Sequence, residues 1–89
     1  MPSVFGQGNS AIKSIQKGQT TIAAASASNT ATITSVDTDK SVLIFSLTAG
    51  SNSVTGLARG VITNATTLTF TRVGTTGDTI VEWQVVEYN

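Results

Sequence analysis

The most regular hydrophobic pattern lies at the end of the chain, in Thr79-Ile80-Val81-Glu82-Trp83-Gln84-Val85-Val86-Glu87-Tyr88. Side chains on a β-strand alternate between two faces. At that period Val81, Trp83 and Val85 point one way and form the deepest part of a small core. Ile80, Glu82, Gln84, Val86 and Tyr88 point the other way. This second set mixes apolar and aromatic groups with polar ones and reads poorly as plain solvent surface. A strand with company on both faces predicts a subunit of an assembly.

Earlier segments repeat the β pattern. Residues 11–17 form a short strand ended by Gly18, and residues 19–24 form a second. Ala25-Ser26-Ala27-Ser28-Asn29 is a small-residue loop. Helix is rejected there, because no apolar stripe accompanies the alanines and the surrounding Ser, Thr and Asn favour turns. Residues 30–36 alternate and are β-branched, as strands prefer. Asp37-Thr38-Asp39-Lys40 is a turn. Residues 41–48 are the most apolar segment, with Val42 and Ile44 on one face and Leu43, Phe45 and Leu47 on the other. That pattern predicts a central strand buried on both sides. Residues 55–63 form a strand weakened by Gly56 and Gly60. A tight turn at Asn64-Ala65 leads into residues 66–72, with Leu68 and Phe70 inward and Thr67, Thr69 and Thr71 outward. Residues 73–78 turn into the final strand. The expected fold is all-β: a compact single-domain antiparallel β-sandwich or small barrel of six to seven short strands. Residues 1–10 are expected to be a flexible arm carrying Val4 and Phe5, and residues 11–89 the β-sandwich domain.

Size sharpens the expectation of assembly. A chain of 89 residues makes one domain and buries only roughly 60–65% of its unfolded surface. Small domains make up the shortfall with disulfides, metals or oligomerisation. There is no Cys and no His, which removes disulfides and thiolate sites and the commonest transition-metal ligand. Oligomerisation is the remedy left. Charged residues are 11% of the chain and balance to zero, against roughly 25% in ordinary domains. Near-zero net charge favours association. A basic nucleic-acid footprint and a polybasic membrane patch are both missing, so neither partner is expected. The start of the chain lacks a signal-peptide pattern, and Val42-Leu43-Ile44-Phe45, the longest apolar run, is too short to span a bilayer. A soluble protein made in a cytosol is expected.

Candidate chemistry is sparse. Without His or Cys the Ser-His and Cys-His nucleophiles cannot exist. The adjacent pairs Lys13-Ser14 and Lys40-Ser41 face opposite ways on a strand. Asp37 and Asp39 could begin a cation site, but a hard cation wants about six to eight oxygens. A turn in which Asp side chains bond nearby backbone N–H groups is the plainer reading. Glu82 and Glu87 lie on opposite faces and do not converge as a glycosidase pair would. Glu82 is expected to meet Arg59 or Arg72 across strands. Trp83 is assigned to the core rather than to a stacking site, and Tyr88 is the better exposed contact. No enzymatic activity and no cofactor are expected.

The order of several segments carries a resemblance. Ile12-Lys13-Ser14-Ile15-Gln16-Lys17-Gly18 opens the domain, and the Thr-Ala-Thr-Ile-Thr run at 30–34 and Lys40-Ser41-Val42-Leu43 follow. Thr63-Asn64-Ala65-Thr66-Thr67-Leu68 comes next, and Val81-Glu82-Trp83-Gln84-Val85-Val86-Glu87-Tyr88 closes it. Together, over residues 11–88, they resemble small tailed-bacteriophage virion proteins of the head-decoration or tail-fibre type. In outline the domain is also similar to the compact β-sandwich of H-type lectins, which assemble as trimers. No sugar-binding set is carried over. The resemblance implies a virion structural protein, made in the bacterial host cytoplasm and carried on the capsid surface. A short module with its own Met1 and a ten-residue lead-in suits a capsid decoration (cement) protein that reinforces the head. The partners implied are the chain itself, as a homo-oligomer with a trimer favoured, and the major capsid protein. A tail-fibre or tail-tip module binding host glycan or protein is the alternative. The subunit interface is expected on Ile80, Glu82, Gln84, Val86, Tyr88, Val42 and Ile44, and the capsid contact on Val4 and Phe5.

Overall fold

The computed structural model describes residues 11–49 and 57–89. These form six strands: β1 (Ile12–Ile22), β2 (Ser28–Thr32), β3 (Ser41–Ala49), β4 (Ala58–Asn64), β5 (Thr67–Arg72) and β6 (Thr79–Tyr88). A single 3₁₀ turn, Thr38–Lys40, precedes β3. The strands make two three-stranded antiparallel sheets, β1-β6-β3 and β2-β5-β4. Only β4 and β5 are both consecutive in sequence and paired. Every other connection passes from one sheet to the other, giving a β-sandwich.

The core lies between the sheets. The first sheet contributes Ile22, Val81, Trp83 and Val85, and the second contributes Leu68 and Phe70. Leu43, Phe45 and Leu47 on β3 pack against this cluster from one side, as do Ala58 and Ile62 on β4. The Phe45 and Phe70 rings meet edge to face across the layers, with centroids 5.7 Å apart. The inward set on β6 and the alternation of β5 are as the sequence predicts.

Three expectations are corrected. Gly18 does not end a strand, and β1 runs unbroken through it. Gly18 pairs with Trp83, whose indole lies across the glycine. A Cβ there would fall less than 3.0 Å from three ring atoms. The glycine is a seat for an aromatic ring, not punctuation. Gly18→Ala is therefore expected to destabilise by about 1–3 kcal/mol through forced displacement of the ring, read as a lower urea midpoint at unchanged slope.

The run at 30–36 is a strand only as far as Thr32. Ile33 and Val36 remain buried, but they belong to the crossover into the first sheet. Their N–H groups donate to the Thr66 and Ala65 carbonyls at 2.9 Å each. Gln16 grips the same crossover in both directions. Its Nε2 donates to the Thr34 carbonyl at 2.9 Å, and its Oε1 accepts from the Thr34 N–H at 2.8 Å. These bonds satisfy backbone groups that a sheet ladder would otherwise have to pair.

The third correction concerns β3. It is an edge strand, flanked by β6 alone among the described residues. Leu43, Phe45 and Leu47 face the core, while Val42 and Ile44 are 45% and 50% exposed on the far side. A strand apolar on both faces reads the same whether it is central or has one face left open.

Candidate interaction face

The outer face of the first sheet is built from cross-strand rows. Ile12 sits beside Tyr88; Ile15, Val86 and Val42 form the next row, then Lys17, Gln84 and Ile44. Gln19, Glu82 and Ser46 follow, and Thr21, Ile80 and Thr48 complete the face. One end is apolar, with Ile12, Ile15, Val42, Ile44 and Tyr88 all at least 40% exposed. Their neighbour Val86 is only 7% exposed, covered within the same row. Exposed apolar groups scattered singly need no explanation, but a contiguous set marks an interaction surface.

All seven residues expected at a subunit interface, Val42, Ile44, Ile80, Glu82, Gln84, Val86 and Tyr88, lie on this one face. Val4 and Phe5 lie outside the described residues. The sequence reading missed Ile12 and Ile15. Three residues apart, they would face opposite ways on a regular strand. The register shifts between Ile12 and Ser14, and this β-bulge brings both isoleucines to the outer face.

The polar half of the face surrounds a shallow hollow of about 460 Å³. Lys17, Gln19, Ile44, Ser46, Glu82 and Gln84 line it, together with Gly18, Phe45 and Trp83 of the middle row. Glu82 meets neither Arg59 nor Arg72. Its Oε2 accepts from Gln19 Nε2 at 3.4 Å, because Arg59 and Arg72 belong to the second sheet.

The opposite outer face, on the second sheet, is different in kind. Ser28, Thr30 and Thr32 on β2 lie beside Thr71, Thr69 and Thr67 on β5. Arg59 and Val61 on β4 complete it. Thr63 and Thr69 hydroxyls hydrogen-bond to each other. The chain contains sixteen threonines, and on this face they give β propensity with a wettable surface.

The remaining candidates are occupied in structural roles. Ser14 Oγ donates to Glu87 Oε1 at 3.2 Å, and Ser41 Oγ donates to the Asp37 carbonyl at 2.7 Å. Neither serine is poised against its neighbouring lysine. Asp37 caps the 3₁₀ turn, its Oδ1 accepting from the Asp39 N–H at 3.0 Å. Among the described residues no three Asp or Glu side chains are grouped to hold a metal.

Glu87 is buried on the inner side of β6, opposite in facing to Glu82. Besides the Ser14 bond it accepts from the Asp37 N–H at 2.9 Å, with Lys13 Nζ at 3.8 Å. It thus fastens the β2–β3 crossover to the end of the first sheet. Trp83 is in the core, and its Nε1 donates to Thr20 Oγ1 at 3.1 Å. No family model, curated protein or solved structure matches this chain.

Proposed function

We propose that this chain is a bacteriophage virion structural protein, a capsid decoration (cement) protein that binds the major capsid protein as a homo-oligomer and reinforces the head. The virion part of this reading rests on the resemblance of the opening and closing segments to phage virion proteins. The observation that carries the binding part is the contrast between the two outer faces. One is mostly Ser and Thr, with Arg59 and Val61 on its β4 side, and the other holds a contiguous apolar end around Ile15, Val42 and Tyr88.

Magnitudes favour an oligomer over a lone module. Fully burying an Ile or Val side chain is worth about 1.5–3 kcal/mol. Half-exposed residues give about half of that. The five exposed side chains therefore supply roughly 5 kcal/mol, near the low end of the about 4–15 kcal/mol cost of association. One copy on a capsid would bind weakly. Linked copies convert later contacts into intramolecular ones and gain avidity without new chemistry.

The alternative, a tail-fibre or tail-tip module, is favoured by one observation. The hollow rimmed by Lys17, Gln19, Ser46, Glu82 and Gln84 offers the donors and acceptors that a hydroxyl-rich glycan uses. Location separates the two readings. Tailless heads and isolated tails of the particle that carries this chain are expected to show it, by quantitative mass spectrometry, on the heads. Its confinement to tails would overturn the cement reading.

A further inference from the structure

We propose that the edge of β3 left unpaired among the described residues is a strand-pairing site for a second copy of this chain, joining two sheets antiparallel about a two-fold axis into one of six strands. This inference does not rest on the virion reading. It starts from how the four outer strands treat their open edges. An unpaired edge is a template for another strand, and natural edges are guarded by charge, bulges, proline, shortness or cover.

Three of the four edges are guarded in this way. β1 carries Lys13 and Lys17 and a bulge between Ile12 and Ser14, and Gln16 reaches across to hold the crossover. β2 is only five residues long. β4 carries Arg59, and its register shifts between Ile62 and Asn64. Among the described residues β3 has none of these devices. Its nine residues, Ser41–Ala49, contain no charge and no proline. Its register against β6 is unbroken from Ser41–Glu87 to Ala49–Thr79. Among the described residues nothing pairs with its second edge.

A second copy fits this edge on three counts. An uncharged strand meets itself without repulsion. The charges nearest the axis on the outer face, Glu82 and its symmetry mate, sit on β6 strands three spacings apart, about 14 Å at least. That exceeds the Debye length of about 8 Å at physiological salt. The core is also incompletely closed at this edge. Leu43, Phe45 and Leu47 are only half-buried although they face inward. Pairing would extend the same core past β3. On the other side it sets Ile44 opposite Ser46 of the second copy and diagonal to that copy's Ile44, so the two apolar halves meet at the axis. An uncharged run containing Val42-Leu43-Ile44-Phe45 is also the composition that forms uncontrolled β-stacks when left open, and a closed two-fold pair ends the growth.

Native mass spectrometry across concentration, with amide hydrogen exchange of residues 41–49, tests this on the whole chain. A dimer is expected. All β3 amides should be protected at high concentration, and alternate ones should lose protection on dilution as the edge opens. Ser46→Lys puts like charges beside the axis and should raise the dimer dissociation constant roughly tenfold or more. Thr30→Lys, on the outer face of the second sheet, should leave the dimer intact. A monomer at millimolar concentration would overturn the proposal. So would an oligomer in which alternate β3 amides still exchange freely, including a trimer built through the outer face.

Discussion

Trp83→Ala is expected to cost about 3–5 kcal/mol of folding stability. The side chain lies mid-row in the first sheet, with Gly18 on β1 to one side and Phe45 on β3 to the other. It is only 9% exposed and belongs to the central cluster with Val81, Val85, Leu68 and Phe70. The glycine lets the ring lie flat across β1. Truncation therefore removes the filling of a slot that no neighbouring side chain is placed to reoccupy. It also strands the Thr20 hydroxyl, which accepts the indole N–H and is itself 8% exposed. A domain of 89 residues has a total stability of about 4–13 kcal/mol, so the variant is expected to be largely unfolded or close to it. Urea unfolding followed by far-ultraviolet circular dichroism measures this, since the substitution removes the single Trp. Trp83→Phe should cost less, keeping much of the volume but not the hydrogen bond. A loss below about 1 kcal/mol for the alanine variant would place the ring at the surface and undo the assignment of β6 facings.

Those facings were legible because two signals agree on β6. The period-two alternation and the position of the largest aromatic select the same inward face. On β5, Leu68 and Phe70 against three threonines left no second choice. The facing of β6 also put five of the seven expected interface residues on one surface, and the alternation of β3 added Val42 and Ile44. β3 was misread because an apolar-on-both-sides strand has two physical origins, full enclosure or one unpartnered face. Local sequence is the same in both. Gly18 was misread for a related reason. A strand glycine is a stop signal until the ring that needs its missing Cβ is located, and here that ring is 65 residues away, at Trp83. Ile12 and Ile15 were hidden by a bulge that changes their relative facing. The hydrogen bonds of Gln16 and Glu87 join distant segments, and no spacing along the chain announces such partners.

The same non-local logic explains why the fold leaves one face apolar. With so few charges, the chain fastens its crossovers by hydrogen bonds from polar side chains to backbone groups. Gln16 holds Thr34, Glu87 holds Asp37, and Asp78 Oδ1 accepts from the Ala24 N–H at 2.8 Å. These fastenings lie at the ends and along the β1 side of the sandwich. Ser41, at the start of β3, adds a bond of the same kind through its Oγ to the Asp37 carbonyl, while Val42 and Ile44 beyond it stay exposed.

Arg72→Ala is expected to cost about 2–4 kcal/mol and to loosen one turn before the rest of the fold. Arg72 is 4% exposed on β5, and among the described residues the one ion pair is Lys13–Glu87. Its charge is stabilised by neutral acceptors. Nε donates to the Ser26 carbonyl at 3.0 Å, Nη2 to the Ala23 carbonyl at 3.1 Å, and Nη1 to Thr79 Oγ1 at 2.9 Å. Hydrogen bonds from a charged group contribute about 1.5–3 kcal/mol each. Burying the cation takes back several kcal/mol, which leaves the net figure above. The two carbonyls belong to the turn that carries the chain from β1 to β2, between the sheets. That turn contains Ala25 at φ 73°, a left-handed conformation that a non-glycine residue adopts at a cost of roughly 1–2 kcal/mol. Ala25 N–H donates to the Thr75 carbonyl at 2.7 Å, so Arg72, Asp78 and Thr75 together hold the strained residue in place. Arg72→Lys should lose nearly as much as Arg72→Ala, because one ammonium cannot reproduce the planar fork that reaches both carbonyls and Thr79. Amide exchange at Ala24 and Ala25 is expected to accelerate in both variants ahead of the β6 amides. If the lysine variant kept wild-type stability, charge alone rather than fork geometry would be holding the turn.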